Sequence, residues 1–198
     1  MLTQKRLTEL YKKQRKSMQD IAHFMGCSLH KVAYWMDRYK IPRRSISDAS
    51  YLKHNPNGDP FRFRPPRTLS EQLLFGLGLG LYWGEGTKAS MGSVRLGNTD
   101  PLLLEKFMKF LITFFGVRKS DLRFGLQIFT DIDECEALDY WTKMLRVNPK
   151  QFGTVVVTKS GSLGTYRKKS QYGVVTVYYH NTKLRNLLMS HLAALAQR

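Results

Sequence analysis

Few residues in this chain have types and spacings that chemistry could use, and most of them resolve into architecture. His23, Cys27 and His30 lie close enough together to suggest zinc, but a fourth ligand is missing, and Gly26 marks a backbone corner that explains the segment by itself. His54, His180 and His191 stand apart from any Ser or Cys partner, which gives an acyl-transfer triad no support. Gly86-Thr87-Lys88 inverts the Gly-Lys-Ser/Thr order of a phosphate-cradling loop, and no strand precedes it to make a dinucleotide turn. What remains is charge: 32 Lys+Arg against 15 Asp+Glu give a net charge of +17 and a pI near 10.0. A field of that sign and size attracts a polyanion and points to nucleic acid.

The charge is unevenly placed. Residues 1–67 carry fifteen Lys/Arg and five acids, whereas residues 140–198 carry ten Lys/Arg and no acid. Asp131, Asp133, Glu134 and Glu136 cluster between these centres, so a docking face and an outer face are expected. A chain of 198 residues with 42% apolar content can hold a core of ordinary size, as one domain or as a small domain joined to a larger one. Its apolar runs fall well short of the roughly 20 residues that span a bilayer, so no membrane association is expected. The basic N-terminus lacks the apolar core of an export signal. Two distant cysteines, Cys27 and Cys135, make no disulfide framework. A cytoplasmic location is therefore expected, nucleoid-associated in a bacterial or phage setting.

The elements that must position the cations begin at Ser17-Met-Gln-Asp20, a capping-box pattern that starts a helix. That helix stops at Gly26, and a second one, with Val32, Trp35, Met36 and Tyr39 at helical spacing, runs from Ser28 to Pro42. With an earlier helix around Leu7, Leu10 and Tyr11, residues 3–44 resemble a three-helix helix-turn-helix DNA-binding unit. In that motif the second helix of the pair enters the major groove, which makes Ser28, His30, Lys31, Tyr34 and Arg38 the candidates for base and phosphate contacts. Arg43 and Arg44 could grip the backbone beside it. Residues 45–67, rich in Pro and interleaving Phe61 and Phe63 with Arg62, Arg64 and Arg67, read as a basic linker lying along DNA, or pinned by its aromatics to the second domain.

The most informative stretch runs over residues 70–88. Glycine is costly inside a helix, yet Gly76, Gly80 and Gly84 recur at i, i+4 and i+8, on one face where a second helix could approach backbone to backbone. Gly80-Leu81-Tyr82-Trp83-Gly84-Glu85-Gly86 resembles the Gly-Leu-Ile-Asp-Ala-Asp-Gly of LAGLIDADG homing endonucleases. Trp83 stands at the first acid of that motif and Glu85 at the second. The resemblance implies two such helices packed at a dimer interface through Gly76, Gly80 and Gly84. It also implies that Glu85 is the catalytic acid and ligand of Mg2+ (or Mn2+), a hard cation that polarises a scissile phosphate.

Downstream patterning extends the resemblance over about residues 70–195. A hairpin is expected through Met91-Gly92, then a helix over 101–117, a strand over 122–129, a helix over 133–145, strands over 154–159 and 173–179, and a helix over 182–195. Ser93-Val-Arg-Leu-Gly-Asn-Thr and Val174-Val-Thr-Val-Tyr-Tyr-His-Asn-Thr, each leading into a Leu-rich helix, echo each other. The expected fold class is thus α+β: a helix-turn-helix domain (1–44), a linker (45–67) and a LAGLIDADG-like α/β domain (68–198), with a saddle-shaped antiparallel sheet covered by helices on one face. On the DNA side Lys88, Arg95, Arg123, Gln127, Thr158 and Lys159 are candidates, and Arg167, Lys168 and Lys169 would tip a phosphate-gripping loop. Lys159, Lys168 or Lys169 could stabilise transition-state charge.

The helix over 133–145 ends in Lys143 and Arg146 and not in a carboxylate, so each chain offers one Glu85 and a two-acid site needs a homodimer. The functional expectation is sequence-specific binding of double-stranded DNA with metal-dependent phosphodiester cleavage. The alternative is a non-cleaving transcriptional regulator, or an intron-splicing maturase with an RNA partner, on the same scaffold.

Overall fold

The computed structural model describes residues 2–160 and 170–197. It divides into two compact units, Met1–Pro60 and Phe61–Arg198. In the first, α1 (Gln4–Thr8) runs on as a π-helical turn over Glu9–Lys13, followed by α2 (Met18–Phe24), α3 (Leu29–Arg38) and α4 (Ile46–His54). The Ser17–Asp20 capping box is formed in both directions, with Ser17 Oγ accepting from Asp20 N at 3.0 Å and Asp20 Oδ2 accepting from Ser17 N at 3.0 Å. Gly26 takes φ +60° at the corner between α2 and α3, a conformation that side-chain-bearing residues rarely adopt. Leu7, Leu10, Ile21, Val32 and Met36 close a separate small core.

The segment read as a linker is partly helical, and its aromatic end is pinned to the second unit, the alternative its sequence left open. Residues 46–54 form α4, started by Ser45 Oγ accepting from Asp48 N, and the boundary between the units falls after Pro60. Residues 61–67 belong to the second unit. The amides of Arg62 and Arg64 donate to the carbonyls of Phe115 (2.9 Å) and Phe114 (2.7 Å), and Phe61 and Phe63 pack on its core. Proline punctuation hid the helix, because capping decides whether a turn-rich segment is free, whereas the Phe61 and Phe63 packing was one of the two readings the sequence allowed.

The second unit begins with α5 (Leu69–Glu85), capped by Thr68, and continues through β1 (Val94–Asn98), α6 (Pro101–Phe115), β2 (Arg123–Phe129), α7 (Glu134–Leu145), β3 (Val156–Thr158), β4 (Val174–Tyr179) and α8 (Thr182–Ala196). The strand order is β1-β4-β2-β3. β4 is antiparallel to β1 and to β2, but β3 runs parallel to β2, so the sheet is mixed and not wholly antiparallel. The reason is the α7 crossover, which returns the chain to the same end of the sheet before β3 starts. The expected hairpin through Met91-Gly92 is reduced to one bridge, Gly86 with Leu96, and a hydrogen bond from Thr87 N to Arg95 O at 3.0 Å. β1 and β4, which carry the echoed sequences, lie side by side, each feeding a Leu-rich helix.

Side chains alternate across the strands. Val94, Leu96, Phe124, Leu126, Ile128, Val175 and Val177 face a core built with Tyr82 of α5, the Phe107, Phe110 and Phe114 row of α6, Trp141 of α7 and Leu188 of α8. The opposite parity is left exposed or half-buried. No helix among the described residues is long and apolar enough to cross a membrane.

Candidate nucleic-acid interface

In the first unit, α3 places Lys31, Tyr34 and Arg38 at i, i+3 and i+7, all exposed, with His30 exposed beside them. Ser28 is the N-cap of that helix, its Oγ accepting from Lys31 N at 3.2 Å. Trp35 stacks on Tyr39 with centroids 5.2 Å apart, partly buried against the core, and its ring meets that of Tyr34 edge-on at 5.5 Å. Arg43 is exposed and pairs with Asp37 at 2.5 Å.

Arg44 is not available to grip a nucleic-acid backbone. Its guanidinium donates to the carbonyl oxygens of Tyr11, Arg15 (3.4 Å) and Lys16 (3.0 Å) and lies over the Tyr11 ring at 4.0 Å. Its amide donates to the Tyr11 hydroxyl at 2.8 Å. The Tyr11 carbonyl lies in the last turn of the first helical segment and those of Arg15 and Lys16 in the turn that follows it, so Arg44 caps that helix end and braces its exit.

Arg64 is likewise engaged within its unit. Its guanidinium makes a two-pronged pair with Glu71, at 3.2 and 2.7 Å, and sits over Phe114. That fork, followed by the Arg67 amide, holds the Glu71 carboxyl at about 2, well below its ordinary value. The pair ties the extended entry strand to the first turn of α5, where a carboxylate also meets the helix dipole. Arg62 stays exposed.

The solvent-facing side of the sheet brings together residues far apart in sequence. Register places Tyr178 of β4 opposite both Arg95 of β1 and Arg123 of β2, one cationic row across three strands. The Arg95 guanidinium lies 5.2 Å from the Tyr178 ring centroid, its Nε donating to Ser93 Oγ at 2.7 Å. Arg123 is folded back on the carbonyls of Ser120 and Leu122. In the next row Thr176 stands between Gly97 and Gly125, and the Tyr178 ring lies over Gly125, where a Cβ would meet its hydroxyl at 2.9 Å. Gln127 donates to Thr158 Oγ1 at 3.2 Å, and Lys159, just past β3, is exposed. Arg167, Lys168 and Lys169 lie outside the described residues. Sequence reasoning passed over Tyr178, His180 and Thr176. The alternation of Val175, Val177 and Tyr179 was the available signal for Thr176 and Tyr178, whereas His180, stacked 5.9 Å from Tyr178, lies beyond that pattern.

Glu85 is the last residue of α5 and is exposed; among the described residues its carboxylate has no hydrogen-bond or ion-pair partner. The bridge from Gly86 to Leu96 sets this helix end against the edge strand β1. Gly86 must be glycine there, since a Cβ would lie 2.3 Å from the Tyr82 ring. Lys88 does not reach outward: its Nζ donates to the Trp83 carbonyl and caps the helix. A carboxylate at a helix C-terminus is a hard oxygen donor of the kind Mg2+ takes. No group of three or more His, Cys, Asp or Glu side chains that could hold a metal ion occurs among the described residues.

On α5, Gly76, Gly80 and Gly84 are exposed, and a Cβ on any of them would meet no atom within 4 Å. They share this surface with exposed Leu69, Leu73 and Leu77, the last two 67% and 45% accessible. Trp83, 51% accessible, flanks the same helix end. No protein-family model, curated protein or solved structure matches this chain.

Proposed function

We propose that this protein is a divalent-metal-dependent endonuclease of double-stranded DNA, of the homing type, acting as a homodimer with one Glu85 per chain. The observation that carries the reading is the arrangement on α5: an exposed apolar and glycine face runs along the helix, which ends at the exposed carboxylate of Glu85, in the same unit as a cationic sheet face. Leu69, Leu73 and Leu77 are too apolar to be left in water without a reason, and the glycines between them would let a second copy of α5 approach closely. A two-fold axis along that contact would bring two Glu85 carboxylates together at one end.

In this reading the first unit is a helix-turn-helix module in which Lys31, Tyr34 and Arg38 meet the major groove. The Arg95–Tyr178–Arg123 row meets phosphates, fixing register and orientation. Glu85 and its counterpart would hold the metal, which would supply Lewis-acid polarisation of a phosphate and activation of water. The chain's own task is to hold the carboxylate exposed at the helix end while the cations hold the strand still.

A second reading, a non-cleaving DNA- or RNA-binding protein on the same scaffold, is favoured by Trp83, which occupies the position of the first motif acid. One experiment separates them. Wild-type protein and Glu85→Gln are incubated with a randomised duplex library in Mg2+ or Mn2+; a nuclease cuts a defined subset and the variant cuts none while still binding. Tight binding without cutting by either protein, with or without preference for structured RNA, would establish the second reading.

A further inference from the structure

The outward face of the sheet has no acid to answer its cations. None of the four described strands contains an Asp or Glu. Arg95 and Arg123 flank Tyr178 from the two strands beside β4, which puts their Cα atoms about 10 Å apart at the usual strand spacing. Among the described residues Arg95 makes one hydrogen bond, from Nε to Ser93 Oγ, and its two terminal nitrogens have no partner. Arg123 gives Nη1 to the carbonyls of Ser120 and Leu122, and among the same residues its Nε and Nη2 are unpaired. Like charges on one face without a counter-charge favour an external anion.

Between these cations lies a ring. A Cβ on Gly125 would meet not only the Tyr178 hydroxyl but also Cε2 at 3.0 Å, so the side chain is laid across β2 instead of standing off the sheet. The exposed His180 ring is nearly parallel to it, with 11° between the planes. Duplex recognition explains such a face poorly. Base edges are read by long polar side chains that reach into a groove about 8.5 Å deep, whereas here the middle row is Gly97, Thr176 and Gly125, and Gln127 is tied to Thr158. Base faces are covered by stacking inside a duplex and open in an unpaired strand, where aromatic rings take them while arginines take the phosphates.

We propose that this face binds an unpaired DNA strand, with base faces on Tyr178 and His180 and phosphates on Arg95 and Arg123. The other unit favours DNA over RNA: α3 presents Lys31, Tyr34 and Arg38 on one exposed helix face, which suits the wide major groove of B-form DNA and not the narrow one of A-form RNA. The inference rests on the nucleic-acid part of the proposed function and uses neither Glu85 nor a metal.

The test uses the full chain, without divalent metal, and three probes of matched length: oligothymidylate carrying one 5-iodouracil, oligouridylate carrying the same label, and a fully paired DNA duplex. Tyr178→Leu, which removes the ring, is expected to weaken oligothymidylate binding at least fivefold, the lower end of what one stacked base contributes. Tyr178→Phe, which keeps the ring, should stay within twofold of wild type, and duplex affinity should stay within twofold for both variants. Arg95→Gln and Arg123→Gln should each reduce the slope of log binding constant against log salt for oligothymidylate by about 0.7. Ultraviolet cross-linking of wild type should join the iodouracil to Tyr178 or His180, read by mass spectrometry; this and the arginine slopes decide if Tyr178→Leu does not fold. Equal losses of duplex and oligothymidylate binding in Tyr178→Leu, cross-links confined to other residues, or oligouridylate bound at least threefold more tightly than oligothymidylate would overturn the proposal. A chain that binds none of the three probes loses the nucleic-acid reading and this inference together. One that binds and cuts duplex while its oligothymidylate affinity ignores Tyr178 loses this inference alone.

Discussion

A Cβ on Gly78 would stand 2.1 Å from Cγ of Phe110, so the backbone of α5 rests directly on a ring presented by α6. Gly78 lies two residues from both Gly76 and Gly80, about 200° around the helix from each. Helix α5 thus carries glycine on two opposed sides, one closed within the chain and the other open.

These two sides predict opposite responses to the same substitution. Gly78→Ala should destabilise the fold by about 1–3 kcal/mol, the usual penalty for overpacking a core, read as a lower urea midpoint at unchanged slope.

Replacing Gly76, Gly80 and Gly84 with alanine should do the reverse to the isolated chain, since each change gains about 0.5–1 kcal/mol of helix propensity in an exposed position. The same triple variant should lose self-association and cleavage. Sedimentation equilibrium at matched concentrations checks this; a triple variant that dimerises as well as wild type would remove the α5 face from the interface.

Two arginines and a lysine in the first unit should behave differently. Lys31→Ala and Arg38→Ala should leave folding unchanged and each reduce the slope of log binding constant against log salt by about 1, one phosphate contact apiece. Arg44→Ala should instead lower stability by about 1–3 kcal/mol through its unsatisfied carbonyls, with binding lost only as folding is lost. A salt slope that falls for Arg44→Ala in folded protein would contradict its role as a cap.

The Arg64–Glu71 fork gives a pH signature. Because the folded-state pKa of Glu71 is depressed to about 2 from 4.5, the unfolded chain binds its proton first. The stabilisation is therefore complete above the ordinary carboxylate range and lost as pH falls towards about 2. Melting temperatures of wild type and Glu71→Gln should differ near neutrality and converge in strong acid. Parallel curves throughout would mean that the pair contributes nothing to stability.

Charge, capping and periodicity belong to the chain itself and do not depend on what lies across from it. They were enough to set the two helices around Gly26, the long helices of the second unit, the β4 strand and the outward cations of α3, because each is fixed by neighbours within a few residues. What tertiary structure alone decided was which polar groups are already occupied. Arg44 and Arg64 look like free cations in the sequence, yet one caps carbonyls more than twenty residues away and the other is forked to Glu71. The parallel pairing of β3 and the Arg95–Tyr178–Arg123 row were equally hidden, since strand order and burial arise from packing between distant segments. Composition supplied the cations; the folded chain determined which of them are engaged within it.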